Sequence, residues 1–227
     1  MALILLYLGV TFVVAFFLGS IPWGVIISRL AFHKDIRDEG SGNIGTTNAF
    51  RALGKAGGAA VFVLDFGKGL LAGYVGFICA CLISVSLMSS IATAGDDMYS
   101  SWLNLVGVAY GLAFLGCVSG HIFSPWLKFK GGKGIAVAAA CLWFVFGPVG
   151  FWLEIAIFAL IVLITRYVSA GSIAAAVLCP FLALYYFWGQ WLAFALITAG
   201  ALLVIWAHRG NIERLRAGTE RRIGDKK

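Results

Sequence analysis

Residues 134–165 read GIAVAAACLWFVFGPVGFWLEIAIFALIVLIT, with Glu154 as the single charged side chain. A membrane-crossing helix needs about 20 apolar residues. The run is too long for one ordinary crossing, and the Gly147-Pro148 pair near its middle is a turn signal. Read as two spans, 134–147 and 149–165, it sets the side on which every later segment emerges. Read as one tilted, kinked helix, it reverses them.

Outward from this run, apolar stretches broken by charges, Gly or Pro predict further spans at 2–28, 57–87, 104–126, 170–187 and 189–207, seven in all. Seven spans put residues 29–56, 127–133, 166–169 and 208–227 on one side. Residues 88–103, the Gly147-Pro148 turn and the Trp188–Gln190 turn fall on the other. Every loop Lys and Arg, from Arg29 and Lys34 through Lys133 and Arg166 to the basic tail, then falls on the first side, and the second has only Asp96 and Asp97. Positive charge is retained in the cytoplasm, so the N-terminus is expected outside and the C-terminus inside. Six spans would send Arg166 outside and give the basic tail the wrong parity. Trp102, Trp126, Trp188, Trp191 and Trp206 lie near predicted span ends, where interfacial aromatics belong.

The composition agrees: 61% of the 227 residues are hydrophobic and only 12% charged. Ordinary globular domains have roughly 45–50% and about 25%. One polytopic, all-α membrane domain over residues 1–227 is expected. The net charge of +7 follows from topology and does not call for nucleic acid. The five cysteines sit in apolar stretches without metal-ligand spacing, so neither a disulfide framework nor a metal site is expected. No organic cofactor is indicated. The first apolar run lacks a basic n-region and a cleavage site and reads as a span, not a signal peptide.

Three segments on the predicted cytoplasmic face carry chemistry. Glu39-Gly40-Ser41-Gly42-Asn43-Ile44-Gly45-Thr46-Thr47-Asn48-Ala49-Phe50-Arg51 offers turn-prone backbone, hydroxyls and amides, and ends on a guanidinium able to hold phosphate through paired hydrogen bonds. Lys128-Phe129-Lys130-Gly131-Gly132-Lys133-Gly134 runs into an apolar helix. Unhindered Gly131 and Gly132 amides, the helix dipole and Lys133 would together make an anion site. It is not a Walker loop, because Gly134 stands where Ser or Thr is required. His208-Arg209-Gly210-Asn211 through Glu220 adds an imidazole, an amide and several cations. Taken alone, the first segment also suits a flexible polar loop and the second a positive-inside charge cluster, while a tail like the third is most often a lipid-headgroup anchor. Tyr167–Ser172 adds hydroxyls on the same side. Asp65 and Lys68, one helical turn apart in the second span, can neutralise one another.

In their order, these segments, with Gly19-Ser20-Ile21-Pro22, Leu64-Asp65, Lys68-Gly69, Gly120-His121 and Arg166-Tyr167-Val168-Ser169, resemble the bacterial membrane family of acyl-phosphate-dependent glycerol-3-phosphate acyltransferases. The resemblance covers nearly the whole chain. Thr46 and Ala138 depart from the more usual alanine and threonine, and the outer loop around Asp96 is long. What the resemblance implies is transfer of a fatty acyl group from acyl phosphate to the 1-hydroxyl of glycerol 3-phosphate, giving lysophosphatidic acid and phosphate at a bacterial inner membrane. It opens phospholipid synthesis. On that basis Lys133 with Gly131 and Gly132 is assigned to the acyl phosphate. Arg51, His208 and Asn211 are assigned to glycerol 3-phosphate, Ser41 and Asn43 to alignment, and Ser172 to a lesser part in acceptor binding. Either His208 or the acceptor's phosphate takes the hydroxyl proton, and an acyl-Ser41 intermediate is the competing route.

Two rival readings use other features. His33 and Asp38 have the H-x-x-x-x-D spacing of unrelated acyltransferases, without their surrounding domain. A transporter for an organic phosphate would also use several helices and a buried ion pair, but no cationic site is found on the outer face.

Overall fold

The computed structural model describes residues 1–94 and 96–225, and the side chains of these except at 89–98. The regular elements among them are helices: α1 (Ala2–Ser20), α2 (Trp23–Phe32), α3 (Thr46–Ala94), α4 (Asp96–Ile122), α5 (Ile135–Thr165), α6 (Val168–Tyr186), α7 (Trp191–Ala207) and α8 (Arg209–Arg216). Short 3-10 turns lie at Ile36–Asp38 and Pro125–Leu127. By length and composition five segments qualify as membrane spans, Ala2–Phe32, Thr46–Met88, Tyr99–Leu127, Ile135–Thr165 and Val168–Tyr186. A sixth qualifies if α7 and α8, bent by 52°, are taken together. The protein is all-helical, with α4 at its centre: 72% of the apolar window of the α4 segment is buried, against 17–33% for the other four. Small residues let its neighbours close on it. A side chain at Gly116 or Gly120 would meet the backbone of α1 at Phe12 or Phe16, and one at Gly19 would meet the Cys117 carbonyl.

The long apolar run of α5 leaves helical geometry at Gly147 (φ 66°, ψ −174°), immediately before Pro148. A straight helix of this length would span about 46 Å. Yet Lys133, just before α5, and Ser169, just after it, both interact with Glu220. The two halves therefore fold back on one another. The first lies against α3, where Val137 and Cys141 back onto Gly69 and Gly73. The second lies against α6, where Phe158 and Val162 face Gly171.

Elsewhere the boundaries differ from those expected. The first run, expected as one span over 2–28, breaks at Ile21-Pro22, since proline has no N–H and pushes the preceding residue out of helical conformation. Helix α3 starts at Thr46, well before the expected 57, but has its own break at Gly54 (φ 74°, ψ −168°). The segment 88–103, expected as an outer loop, is helical through Ala94 and again from Asp96. The side chains of Asp96 and Asp97, the expected outer charges, lie outside the described set.

At Gly147 only a residue without Cβ is unstrained, and a side chain there costs about 1–3 kcal/mol. Gly147→Val should lower the thermal unfolding midpoint in detergent micelles. Gly67→Ala, whose added methyl meets nothing within 4 Å, should not. Equal midpoints for the two variants would remove the hinge role of Gly147.

Candidate active site

The first basic segment is organised by Asn48, which is buried at 2% exposure. Its Nδ2 donates to the carbonyls of Ile36, Glu39 and Asn43 at 3.2, 3.0 and 2.8 Å, and its Oδ1 accepts from Ser41 N at 2.9 Å. One amide thus closes the loop that carries Ser41 and Asn43. Asn43 Oδ1 accepts from Gly45 N at 2.9 Å, which shapes the turn into α3. Ser41 is exposed and Asn43 half-buried. Arg51 sits on the short stretch of α3 before Gly54, close enough to Lys133 for the two cations to repel.

The second segment corrects an expectation. Gly131 N donates to the Ile122 carbonyl at 3.0 Å and Gly132 N to the His121 carbonyl at 3.1 Å. These amides satisfy the end of α4 and are not free for an anion. The glycines serve close approach instead, because a Cβ at either would run into His121. The unsatisfied amides lie further on, in the first turn of α5, where Ala138 N is the first to reach back, to Gly134 O at 2.8 Å. Lys133 stands at that positive helix end, half-buried and without an ion pair among the described residues. Burial lowers its pKa, Glu220 pulls the other way, Arg214 and Arg51 lower it further, and the outcome is about 8.

The third segment folds over Lys133. His208, 2% exposed, ends α7. Its Nδ1 is 2.8 Å from the Val204 carbonyl. A carbonyl only accepts, so Nδ1 carries the proton and Nε2 keeps a lone pair. Burial pushes its pKa down, the Val204 bond pushes it up, Lys133 lowers it again, and it settles at about 4. Asn211 Nδ2 donates to Glu220 Oε1 at 2.6 Å, Ser169 Oγ to the same oxygen at 2.7 Å, and Arg214 Nε to Oε2 at 2.7 Å. Burial alone would raise the Glu220 pKa. The three hydrogen bonds, first from Ser169, then Asn211 and Arg214, reverse this and keep the carboxylate ionised.

The tail continues as a strap. Ile223 N donates to Arg166 O at 2.8 Å, and Arg166 Nη2 donates back to Ile223 O at 2.7 Å. Arg222 Nε donates to the Tyr167 hydroxyl at 3.0 Å.

Arg51, Lys133, His208 and Asn211 come from three segments and lie near one another around Glu220 and Lys133. Ser172 does not join them: its hydroxyl donates to Val168 O at 2.9 Å within its own helix. Ser169, one turn earlier, takes that place. Asn48, Ser169, Arg214 and Glu220 are the residues that sequence reasoning did not assign, although all four lie within the quoted segments. His33 and Asp38 share no hydrogen bond among the described residues. His33 closes α2 in a left-handed conformation, and the nearby carboxylate is Asp35, paired with Arg29 and Arg37 at 2.7 Å each.

Two hollows flank the cluster. A basic cleft of about 500 Å³ is lined by Arg37, Trp126, Lys128, Lys130 and Gly131. An apolar groove of about 640 Å³ runs between Leu18, Trp23, Leu71, Tyr74 and Phe144, with Lys68 on its wall.

Three cations, one carboxylate and a helix N-terminus form a set chemically able to hold an anion, and its affinity for one should follow the charge on Lys133. Binding of inorganic phosphate in micelles is expected to weaken as pH rises through about 8, because the lysine then loses its proton. Lys133→Arg, with a guanidinium that stays charged, should carry binding to higher pH. A flat profile up to pH 10 (~2 units above that value) would take Lys133 out of that set.

Residues 9–218 match the profile of the glycerol-3-phosphate acyltransferase family. A glycerol-3-phosphate acyltransferase from Chlorobaculum parvum is 36% identical, the match covering 92% of this chain and 94% of that one. Two crystal structures of the integral membrane glycerol 3-phosphate acyltransferase PlsY superpose closely. The glycerol 3-phosphate form has a TM-score of 0.72 at 34% identity over 96% of both chains. The lysophosphatidic acid form has 0.69 at 33%, covering 96% of this chain and 95% of that one. With a profile match over nearly all its length and these relatives, the chain belongs to the glycerol-3-phosphate acyltransferase family.

Proposed function

We propose that the protein transfers a fatty acyl group from acyl phosphate to the 1-hydroxyl of sn-glycerol 3-phosphate, releasing lysophosphatidic acid and phosphate. The observation that carries this reading is Lys133, half-buried and without an ion pair among the described residues, within electrostatic range of Arg51, Arg214 and His208. Both substrates bear phosphate, and unpaired cations of this kind are natural partners for it. Acyl phosphate is already an activated mixed anhydride, so alignment and charge stabilisation are the main demands. The hydroxyl oxygen forms a bond to the acyl carbon, the C–O bond to phosphate breaks, and phosphate leaves with the bonding pair next to Lys133. With its Nδ1 proton held by Val204, His208 offers Nε2 to the attacking hydroxyl, but its low basicity favours the acceptor's own phosphate as the final proton holder. Arg51 and Asn211 hold that phosphate, and Ser41 with Asn43 aligns the pair. The apolar groove beside Lys68 gives an acyl chain a surface at the bilayer.

This reading includes seven spans with the basic segments in the cytoplasm. It is supported by the fold-back of α5 at Gly147 and by the charge asymmetry of the loops. A C-terminal reporter that fluoresces only in the cytoplasm should fluoresce, and darkness would reverse the orientation.

The decisive assay uses protein in detergent micelles, where transport cannot be scored. Labelled glycerol 3-phosphate should enter lysophosphatidic acid when acyl phosphate is supplied. Uptake into sealed proteoliposomes with no product would favour a transporter. Loss of a charged hydrogen bond costs about 1.5–3 kcal/mol, so Arg51→Ala should reduce kcat/KM for glycerol 3-phosphate roughly tenfold to a hundredfold. An unchanged KM would exclude Arg51 from the site. A hydroxylamine-sensitive acyl group trapped on Ser41 would replace direct transfer with the two-step route.

A further inference from the structure

The reaction above makes no use of the buried ion pair, yet the pair is wired to the lysine that the reaction needs. Lys68 Nζ lies 2.8 Å from Asp65 Oδ1, 2.6 Å from the Ile21 carbonyl and 3.0 Å from His121 Nδ1. Asp65, Lys68 and His121 are 2%, 3% and 4% exposed. An ammonium has three hydrogens and no lone pair, and three acceptors surround this one. His121 Nδ1 can therefore only accept, and the proton of the neutral ring is on Nε2. That Nε2 edge lies against Gly132, where an added Cβ would strike it. The His121 carbonyl meanwhile accepts from Gly132 N at 3.1 Å, and the next carbonyl, Ile122, accepts from Gly131 N at 3.0 Å. Ring and backbone of His121 both bear on the two residues that precede Lys133.

We propose that His121 is a positioning residue for Lys133, with Lys68 fixing the tautomer and tilt of its ring and the ring edge fixing the Gly131-Gly132 turn. The Lys133 ammonium is thereby held at the height where a phosphate meets it. The inference rests on the acyl-transfer reading only for its kinetic readout, since phosphate binding tests it independently.

His121→Asn separates the two ends of the ring. Its amide oxygen can replace Nδ1 as acceptor for Lys68, while nothing replaces the edge against Gly132. The variant should unfold in micelles near the parent midpoint, bind inorganic phosphate about tenfold more weakly, and lose kcat/KM for acyl phosphate by a similar factor. The alkaline fall in phosphate binding should also move upward from about pH 8, as Lys133 swings toward solvent. A residue that only braces helices would leave phosphate affinity and that profile at parent values in the folded variant, and this result would overturn the proposal.

Should His121→Asn fail to fold, Gly132→Ala provides the same test with every Lys68 partner still present, because its methyl pushes on the ring from the loop side. It should show the same tenfold loss and the same upward shift. Parental phosphate binding in Gly132→Ala would equally overturn the inference. If parent protein binds phosphate as described but makes no lysophosphatidic acid, the function reading fails and the positioning role of His121 stands on the phosphate data.

Discussion

A lysine ammonium inside an apolar bundle is tolerated only if every hydrogen finds an acceptor, and the arrangement of the helices around Lys68 follows from that demand. One partner, the Asp65 carboxylate, pairs with its charge from the same helix, and another, His121, comes from the end of α4. The third is the carbonyl of Ile21, available because Pro22 interrupts the run from α1 into α2 and releases it from a helical ladder. The carbonyl of Ser20, released by the same interruption, accepts from Ser124 Oγ at 2.7 Å. The Pro22 break, the α3 charge pair and the α4 terminus are therefore one device. Its polar atoms bring three elements to a common point below the loop that carries Lys133.

The hinge at Gly147 contributes from the other direction. By turning α5 back on itself it brings Arg166–Ser169 to the end of the molecule where Lys133 already stands. Glu220 then accepts from Ser169, Asn211 and Arg214 together. A hydroxyl from α6 and an amide and a guanidinium from α8 bond to one carboxylate, and the ammonium from the α4–α5 loop feels its charge.

That the chain is a set of apolar helices is readable from sequence because hydropathy acts over whole segments. Individual atoms obey local geometry that composition does not record. The Gly131 and Gly132 amides look available in a glycine-rich loop, but an α4 terminus with open carbonyls claims them. Ser172 looks like a site hydroxyl, yet inside a helix it bonds back four residues, and Ser169 at the helix start is the one left to face outward. Asn48 could have been singled out. An asparagine following Gly40, Gly42 and Gly45 supplies the side-chain hydrogen bonds that such a loop cannot make for itself. Glu220 carries a similar clue, as an acid within a strongly basic tail.

The reciprocal bonds between Ile223 and Arg166, with Glu220 reaching Ser169, tie the last described residues to a loop made some 55 residues earlier. A chain cut short of residue 219 would keep all its apolar helices and lodge in a bilayer, with the set around Lys133 lacking its carboxylate. The carboxylate that gathers Ser169, Asn211 and Arg214 is thus made after every apolar helix of the bundle.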